Sequence, residues 1–369
     1  MHGRVLEYVR TAAPCSRAQI AAATALNKTT VSGIVTELIN VRVLREIGAS
    51  GRRIGRPTRL LMVDGSAHVG IGVRMGVDHL TAVAVDLAGR RLFTWRQSYA
   101  TEERSPRRVI AHIVRLVRRA ATRVEAAEAS VVGLTVAVPG LVDSTGAVHG
   151  VPALGWPRVE LGVDLERALE RPAFPVVVDS DATLGAIAEY RYGAVARTKH
   201  LAYLAGPPGG GVGVIHEGRP LRGANGYGGA FGHRCADFGD PARAGCLDAA
   251  ARLDALVGRP TGAREAAIQR LVRQARTGEP DTLAGLAEVG DRLGHAVAIL
   301  VDLLNPAIVV LGGDYARLAP WLLSTAEGAF RERAATPNAD AFKLVASTFG
   351  YEAPALGAAA VPLTAIERI

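Results

Sequence analysis

The sequence of 369 residues lacks any apolar run of the about 20 residues that a membrane-spanning helix takes. It also lacks the uninterrupted apolar segment of a secretory signal, because charged side chains break the pattern of "MHGRVLEYVRTAAP". We therefore expect a cytoplasmic protein with no membrane partner.

Cysteine is scarce, with Cys15, Cys235 and Cys246 as the full set. Three cysteines are too few, and odd in number, for the disulfide framework of a secreted domain. We expect reduced thiols. The overall composition, 49% hydrophobic and 21% charged, excludes a chain that is disordered throughout, and its length allows two or three domains.

Acidic residues are rare in one part of the chain. Residues 1–65 hold four of them against ten arginines and lysines, so most of the formal net charge of +8 lies in the first sixth of the sequence. Such a concentration is typical of a surface that neutralises phosphates. Charge alone leaves open a solvated arginine-rich face.

The same segment has the periodicity of three helices. Ser16 is placed to cap the second, "RAQIAAAT", and the third, "KTTVSGIVTELIN", follows a short turn. In the third helix the apolar residues fall at i, i+3, i+4 and i+7, namely Val31, Ile34, Val35 and Leu38. This leaves polar side chains at its exposed N-terminal turn, where they can reach base edges in a major groove: Lys28, Thr29, Thr30 and Ser32.

A predicted β-hairpin follows in "VLREIGASGRRIGRPTRLLMVD", with a tip that carries Arg52, Arg53 and Arg56. Arginines there can bind the DNA backbone or a narrow minor groove. We predict that residues 1–65 form a winged helix-turn-helix domain whose partner is double-stranded operator DNA. The alternative is a small helical module for protein interaction. Because one such domain reads a short half-site, we also expect a homo-oligomer, a dimer or a tetramer.

From residue 66 the pattern changes to strands punctuated by glycine and amphipathic helices. Three strands followed by alternating helices and strands occur twice, which predicts two α/β lobes with a cleft between them. Strands are expected at 68–74, 79–86 and 91–95, and a helix near 105–125.

A set of motifs then resembles the ROK family (repressor, open reading frame, kinase) across almost the whole chain, in its repressor branch. The motifs are "SRAQIAAATALNKTTVSGIVTELI", "GRPTRLL", "VPGLVD", "DSDATLGAIAE", "RGANGYGGAFGH", "AGCLD" and "LVDLLNPAIVVLGG". The resemblance implies a winged helix-turn-helix domain followed by a two-lobed α/β domain of the actin-like, sugar-kinase-like, ribonuclease H-like fold. The implied division is 1–65 for the first domain and 66–369 for the second. Within the second, lobe one is about 66–183 with a C-terminal helix near 353–369, and lobe two is about 184–352.

The kinases of this family bind nucleotide phosphate and metal at an Asp-Gly-Gly-Thr turn, and here that turn is occupied by residues 74–78, beginning with Arg74. An arginine cannot hold Mg²⁺, and the Cβ of Val77 stands where a backbone must approach phosphate. In the second phosphate loop, "PPGGGVG", Pro207 and Pro208 replace residues whose flexible backbone and N–H groups would bind an anion. The sequence therefore predicts a regulator without kinase activity, although Asp181 matches the family's catalytic base. An active sugar kinase with an added interaction domain is the alternative.

The resemblance also implies a sugar or sugar-derivative effector bound by Ser180, Asp181, His233 and Asp248. At three positions this sequence lacks the side chain with which the family contacts the sugar. Ala153 and Ser180 each replace an asparagine, and Ala230 replaces a glutamate. A regulator that works without a ligand therefore stays open, and so does a role of Asp181 in capping the next helix.

Members of the family hold a structural zinc with a histidine and three cysteines. The corresponding residues here are His233, Cys235 and Cys246, one fewer than the four ligands of a structural zinc site. We expect no cofactor, with a hydrogen-bonded histidine and two buried thiols at this place.

Overall fold

The structure, a computed structural model, describes residues 1–48, 59–207, 210–230, 245–258, 264–335 and 342–367. Its first part is three helices and a two-stranded antiparallel sheet: α1 (His2–Ala12), α2 (Arg17–Thr24), α3 (Lys28–Asn40), β1 (Leu44–Ile47) and β2 (Leu60–Val63). The predicted apolar stripe of α3 is buried, from Val31 to Leu38. The base of the predicted wing is the β1–β2 pair, while its tip, with Arg52, Arg53 and Arg56, lies outside the described residues.

Local sequence explains where these helices begin. The Ser16 hydroxyl accepts a hydrogen bond from the Gln19 amide, and the Gln19 side chain accepts one from the Ser16 amide, which forms a capping box at the start of α2. The Asn27 carboxamide oxygen accepts from the Thr30 amide at 2.7 Å and starts α3.

The second part contains two five-stranded sheets with the same topology. The first sheet and its helices comprise β3 (His68–Met75), β4 (His79–Asp86), β5 (Arg91–Ser98), α4 (Pro106–Glu125), β6 (Ser130–Val138), α5 (Leu161–Ala168), β7 (Val176–Ser180) and α6 (Asp181–Tyr192). The strand order is β5-β4-β3-β6-β7, with the first three strands antiparallel and the last two added in parallel. Parallel neighbours need a crossover, and helices supply it.

The second sheet repeats this arrangement in the order β10-β9-β8-β11-β12. Its elements are β8 (Leu201–Leu204), β9 (Val212–His216), β10 (Arg219–Pro220), α7 (Gly245–Val257), α8 (Arg264–Arg276), α9 (Pro280–Leu304), β11 (Ile308–Leu311), α10 (Gly313–Arg333), β12 (Lys343–Ala346) and α11 (Ala353–Ile366). The duplicated sheets confirm the predicted two-lobed fold. None of the described helices is both long and apolar enough to cross a membrane.

Helix α11 packs on β3 at backbone distance, and glycine makes this approach feasible. A Cβ at Gly72 would lie 2.1 Å from the carbonyl oxygen of Ala355, and one at Gly70 would lie 2.0 Å from that of Ala359. Such distances are far below van der Waals contact, so any other residue at either position would push the helix off the sheet.

We expect Gly72→Ala to lower the free energy of unfolding by at least about 2 kcal/mol, because the added methyl group meets helix backbone that cannot move aside. Gly328→Ala is the control: it lies inside α10 with nothing within 4 Å of the added carbon, and we expect a gain of about 1 kcal/mol in helix propensity. Urea unfolding measures both. A Gly72→Ala protein as stable as the parent would contradict the close packing of α11.

Candidate DNA-binding surface and ligand cleft

The N-terminal turn of α3 presents polar side chains to the solvent. Lys28, Thr29 and Ser32 are exposed and Thr30 is half-buried, while the opposite face of the helix packs into the domain core. The N-terminus of a helix favours an anion through its free N–H groups. This turn is therefore suited to contact a nucleic acid with both charge and short hydrogen-bonding groups.

Two arginines near the wing are engaged within the domain. Glu46 on β1 forms ion pairs with Arg59 at 2.6 Å and with Arg17 at 2.8 Å. Hydrogen bonds from Arg59 and Arg17 lower the pKa of Glu46. These pairs fix the base of the wing on α2, and they leave Lys28 as a cation at the exposed end of α3.

A second candidate site is a cleft between the two sheets, at the start of α6. It is lined by residues of both halves: Gly140, Leu141, Val142, Ser180, Asp181, Ala182, Gly211, Gly226, Tyr227, Gly228, Gly229 and Ala230. Asp181 carries the carboxylate among the described residues that line this cleft, and burial raises the pKa of Asp181 to about 6 although the charge of Arg74 acts in the opposite direction. A buried carboxylate of this kind can accept hydrogen bonds from ligand hydroxyl groups.

Ser180 has a structural role at the same place. Its hydroxyl accepts a hydrogen bond from the Thr183 amide at 3.1 Å and so caps α6, which begins at Asp181. Ser180 thus caps this helix, and the backbone amides of Asp181 and Ala182 at the same helix start also lower the pKa of the Asp181 carboxyl.

The rim of the cleft is joined by a chain of side chains from both halves. His149 Nε2 lies 2.7 Å from Asp143 Oδ2 and 2.8 Å from the Tyr227 hydroxyl oxygen. Burial acts to raise the pKa of Asp143, but hydrogen bonds from Thr145 and His149 outweigh burial and hold this pKa well below its usual range. The chain ties the 141–149 segment to the 221–230 segment across the opening.

The region that corresponds to the kinase phosphate turn differs from the prediction in one respect. Strand β3 continues to Met75, so Arg74 and Met75 belong to the strand and the turn consists of residues 76–78, closed by a 2.9 Å hydrogen bond from the Gly76 amide to the His79 carbonyl. The predicted strand, 68–74, ended one residue too early, because regular pairing with β4 extends to Met75. Arg74 is 7% exposed, and its Nε has no hydrogen-bond partner within the described ranges.

Charged side chains line a cavity in front of Arg74. Arg264 Nε lies 2.7 Å from Asp314, at the start of α10, and Arg264 Nη2 lies 2.6 Å from Asp254. The Tyr351 hydroxyl also donates to Asp314, and the Arg74 guanidinium carbon lies 5.8 Å from the Tyr351 ring centre. Asp314 is fully buried, which raises its pKa to about 6 against the opposing charges of Arg264 and Arg74.

These groups also connect the two halves of the molecule. The Arg264 amide donates to Asp78 at 3.2 Å, and Arg96 on β5 pairs with Glu265 on α8. The end of the cleft where the family's kinases hold phosphate is therefore lined by charges of the protein that pair with one another.

Several predicted site residues cannot be placed. His233 and Cys235 lie outside the described residues, and so do the side chains of Asp248 and Cys246 on α7. Among the residues that are described, no group of three or more metal-ligand side chains comes together. Of the predicted cleft residues, the structure brings Ser180 and Asp181 to one opening.

Sequence reasoning missed the rim chain and the Arg264–Asp314 pair. Asp143, His149 and Tyr227 lie within or next to the motifs "VPGLVD" and "RGANGYGGAFGH", which identified the region without giving these residues a role. Arg264 and Asp314 are 50 residues apart in sequence, and no local pattern connects them.

Residues 70–364 match the model of the ROK family. The xylose repressor of Bacillus spizizenii is 27% identical over 353 residues, covering 94% of this chain and 91% of its own. A crystal structure of a ROK family transcriptional regulator, described as a homologue of the E. coli MLC protein, superposes with a TM-score of 0.76 at 24% identity, over 99% of this chain and 96% of the other.

A ROK family glucokinase from Streptomyces griseus, crystallised with glucose and AMPPNP, superposes with a TM-score of 0.62 at 23% identity. It covers 79% of this chain and 98% of its own length, a likeness that concerns the fold. Because the family model matches well over half of the sequence, and both sheets have the expected topology, the chain belongs to the ROK family.

Proposed function

We propose that this protein is a sequence-specific DNA-binding transcriptional regulator, a repressor, that reads duplex DNA with α3 and the wing. The observation that carries the proposal is the exposed N-terminal turn of α3, with Lys28, Thr29 and Ser32 on a helix whose other face is buried. Relatives named as xylose repressor and as transcriptional regulator match over most of the chain and support it. Selection of duplexes from a random pool by the full-length protein is the test.

We propose further that a homodimer or tetramer binds a two-fold related operator, because one such domain reaches a short half-site. We propose that the protein functions without zinc, because the segment that holds the metal in the family retains His233, Cys235 and Cys246, three ligands where a structural site takes four.

We propose that the kinase-like domain has lost phosphoryl transfer. Arg74 stands in place of the acid that binds the metal, and Asp314 beside it is already paired with Arg264 and Tyr351. A coupled assay with ATP, Mg²⁺ and either hexoses or D-xylose should show no turnover above a protein-free control. Turnover that disappears in Asp181→Asn would instead establish an active sugar kinase.

We propose that the cleft at the start of α6 binds the effector, a sugar or another small metabolite, and that the ligand-binding residues are Ser180, Asp181, His233 and Asp248. Ala153 and Ala230 reduce the number of hydrogen-bond partners, which favours a ligand larger than an unmodified monosaccharide. A ligand with a typical coupling energy of about 1–3 kcal/mol would weaken operator binding about 5- to 150-fold.

A thermal-shift screen with D-xylose, glucose, their phosphates and unrelated metabolites tests this site. At 100 times its Kd, a ligand stabilises the folded protein by about 2.7 kcal/mol, enough to raise Tm by several degrees. We expect Asp181→Ala to abolish the shift. A shift that survives this substitution would place the ligand elsewhere, and a screen without any shift would favour the ligand-independent regulator.

A further inference from the structure

Glu367, just after α11, joins the DNA-binding domain to the cleft domain. Its Oε1 lies 2.6 Å from Nη2 of Arg10 on α1 and also contacts Nη2 of Arg191, near the end of α6. The carboxylate side chain is 17% exposed. Burial alone would raise the pKa of Glu367, but hydrogen bonds and charges of Arg10 and Arg191 outweigh it and the pKa lies below its usual value. Glu367 is therefore an ionised bridge between two cations at neutral pH.

Arg191 and the cleft lie at opposite ends of one helix. Helix α6 begins with Ser180 as its cap and Asp181 as its first residue, and Arg191 lies in its last turn. At 1.5 Å per residue, its 12 residues span about 18 Å. A shift of α6 at the cleft thus reaches Glu367 directly.

The packing around α6 leaves little room to absorb such a shift. A Cβ at Gly357 of α11 would lie 1.8 Å from the Leu184 carbonyl oxygen, so α6 and α11 touch through their backbones. The buried side chains of α1, α3, α6 and α11 belong to one continuous hydrophobic cluster. Close-packed interiors move as units rather than by gradual compression.

We propose that Glu367 is a positioning residue that couples the cleft to the DNA-binding domain, by holding α1 through Arg10 and α6 through Arg191. This coupling rests on the proposed function, because it gives an effector in the cleft a route to operator affinity. Glu367 contacts both helices. A displacement of α6 moves or breaks the Arg191–Glu367 pair, and Glu367 then no longer holds Arg10 of α1 in place.

Hydrogen exchange of the full-length protein tests the coupling without a known effector or operator. In Glu367→Gln we expect the amides of α1 to exchange about 5- to 30-fold faster, the effect of one to two kcal/mol. Glu170→Gln is the matched control, since Glu170 forms an exposed 2.7 Å pair with Arg118 of α4, a helix outside the hydrophobic cluster of α1, α6 and α11, and it should leave α1 unchanged.

The decisive comparison uses Asp181→Asn as a perturbation of the cleft. We expect Asp181→Asn in the parent protein to alter hydrogen exchange in both α6 and α1. When Glu367→Gln is also present, we expect Asp181→Asn to alter exchange in α6 alone. A purely structural Glu367 would leave the two effects additive. An α1 response to Asp181→Asn that is equally large in the double variant would overturn the proposal, as would unchanged exchange of α1 in Glu367→Gln.

Should Glu367→Gln fail to fold, Arg10→Met removes the link to α1 and keeps the Arg191 pair, with the same expected loss of the α1 response. Duplex binding is measured separately on the same proteins. A parent protein that shows the coupling but selects no duplex would refute the proposed function and leave the coupling intact, whereas selective binding without the coupling would refute the coupling alone.

Discussion

Lys28→Glu is expected to weaken binding of the full-length protein to the duplex it selects by about 30- to 100-fold at 150 mM salt. The substitution removes a cation from the exposed N-terminal turn of α3 and puts an anion next to DNA phosphates. Binding therefore loses an attraction and gains a repulsion. The slope of log affinity against log salt should also become shallower by about one, since one phosphate contact releases about one counterion. Fluorescence anisotropy between 50 and 300 mM salt measures both quantities.

Lys199→Glu is the matched control for this substitution. Lys199 is exposed on the second lobe and the change in net charge is the same, so it corrects for long-range electrostatics. We expect less than a threefold change. Equal losses in the two variants would show that general charge, and not α3, determines DNA binding.

The second large effect concerns Arg74. Arg74→Met is expected to lower the free energy of unfolding by about 3 kcal/mol at pH 8, because two buried carboxylates, Asp181 and Asp314, then lose a shared countercharge. Methionine keeps most of the aliphatic volume, so a cavity contributes little to the loss. Urea unfolding at several pH values measures it.

The destabilisation caused by Arg74→Met should be smaller at pH 5 than at pH 8. The direction of this pH dependence follows from the carboxyl groups of Asp181 and Asp314. Both have a pKa of about 6 in the folded protein against a usual value of 3.8, so the folded state binds more protons than the unfolded state between about pH 4 and 6. Their contribution to stability therefore falls as the pH rises through this window. Arg74 lowers both pKa values, so its removal increases the cost of ionisation at pH 8 and has little effect where the groups are protonated.

Arg96→Met is the control for the Arg74 variant. Arg96 pairs with Glu265 but its side chain is 43% exposed, and solvent screening limits the expected loss to about 1 kcal/mol or less at either pH. A loss for Arg74→Met that is the same at pH 5 and pH 8 would mean that Arg74 acts through packing and not through the two carboxylates.

The DNA-binding domain could be predicted from sequence in more detail than the cleft, because its determinants are local. The Ser16 cap, the Asn27 turn and the stripe from Val31 to Leu38 each depend on residues within two helical turns. The strand periodicity predicted β3 and β4 for the same reason, although the end of β5 at Ser98 depends on pairing with β4 and was set too early at residue 95.

The cleft depends on contacts between distant parts of the chain. The position of Arg74 in front of Asp314 requires both sheets to be in place, and no spacing in the sequence indicates that the two charges meet. The Asp143–His149–Tyr227 chain likewise joins segments 78 residues apart. Family motifs indicated which segments line the cleft. They did not predict the contacts of residues in which this sequence differs from the family, such as Arg74.

Selection of duplexes from a random pool by the full-length protein, with Lys28→Glu selected in parallel, tests whether α3 reads a DNA sequence. We expect enrichment of a two-fold related sequence, bound at least about 1,000-fold more tightly than unselected DNA, and loss of that enrichment in Lys28→Glu. Failure of the parent protein to enrich any sequence, or enrichment of the same sequence by Lys28→Glu, would contradict sequence-specific DNA binding through α3.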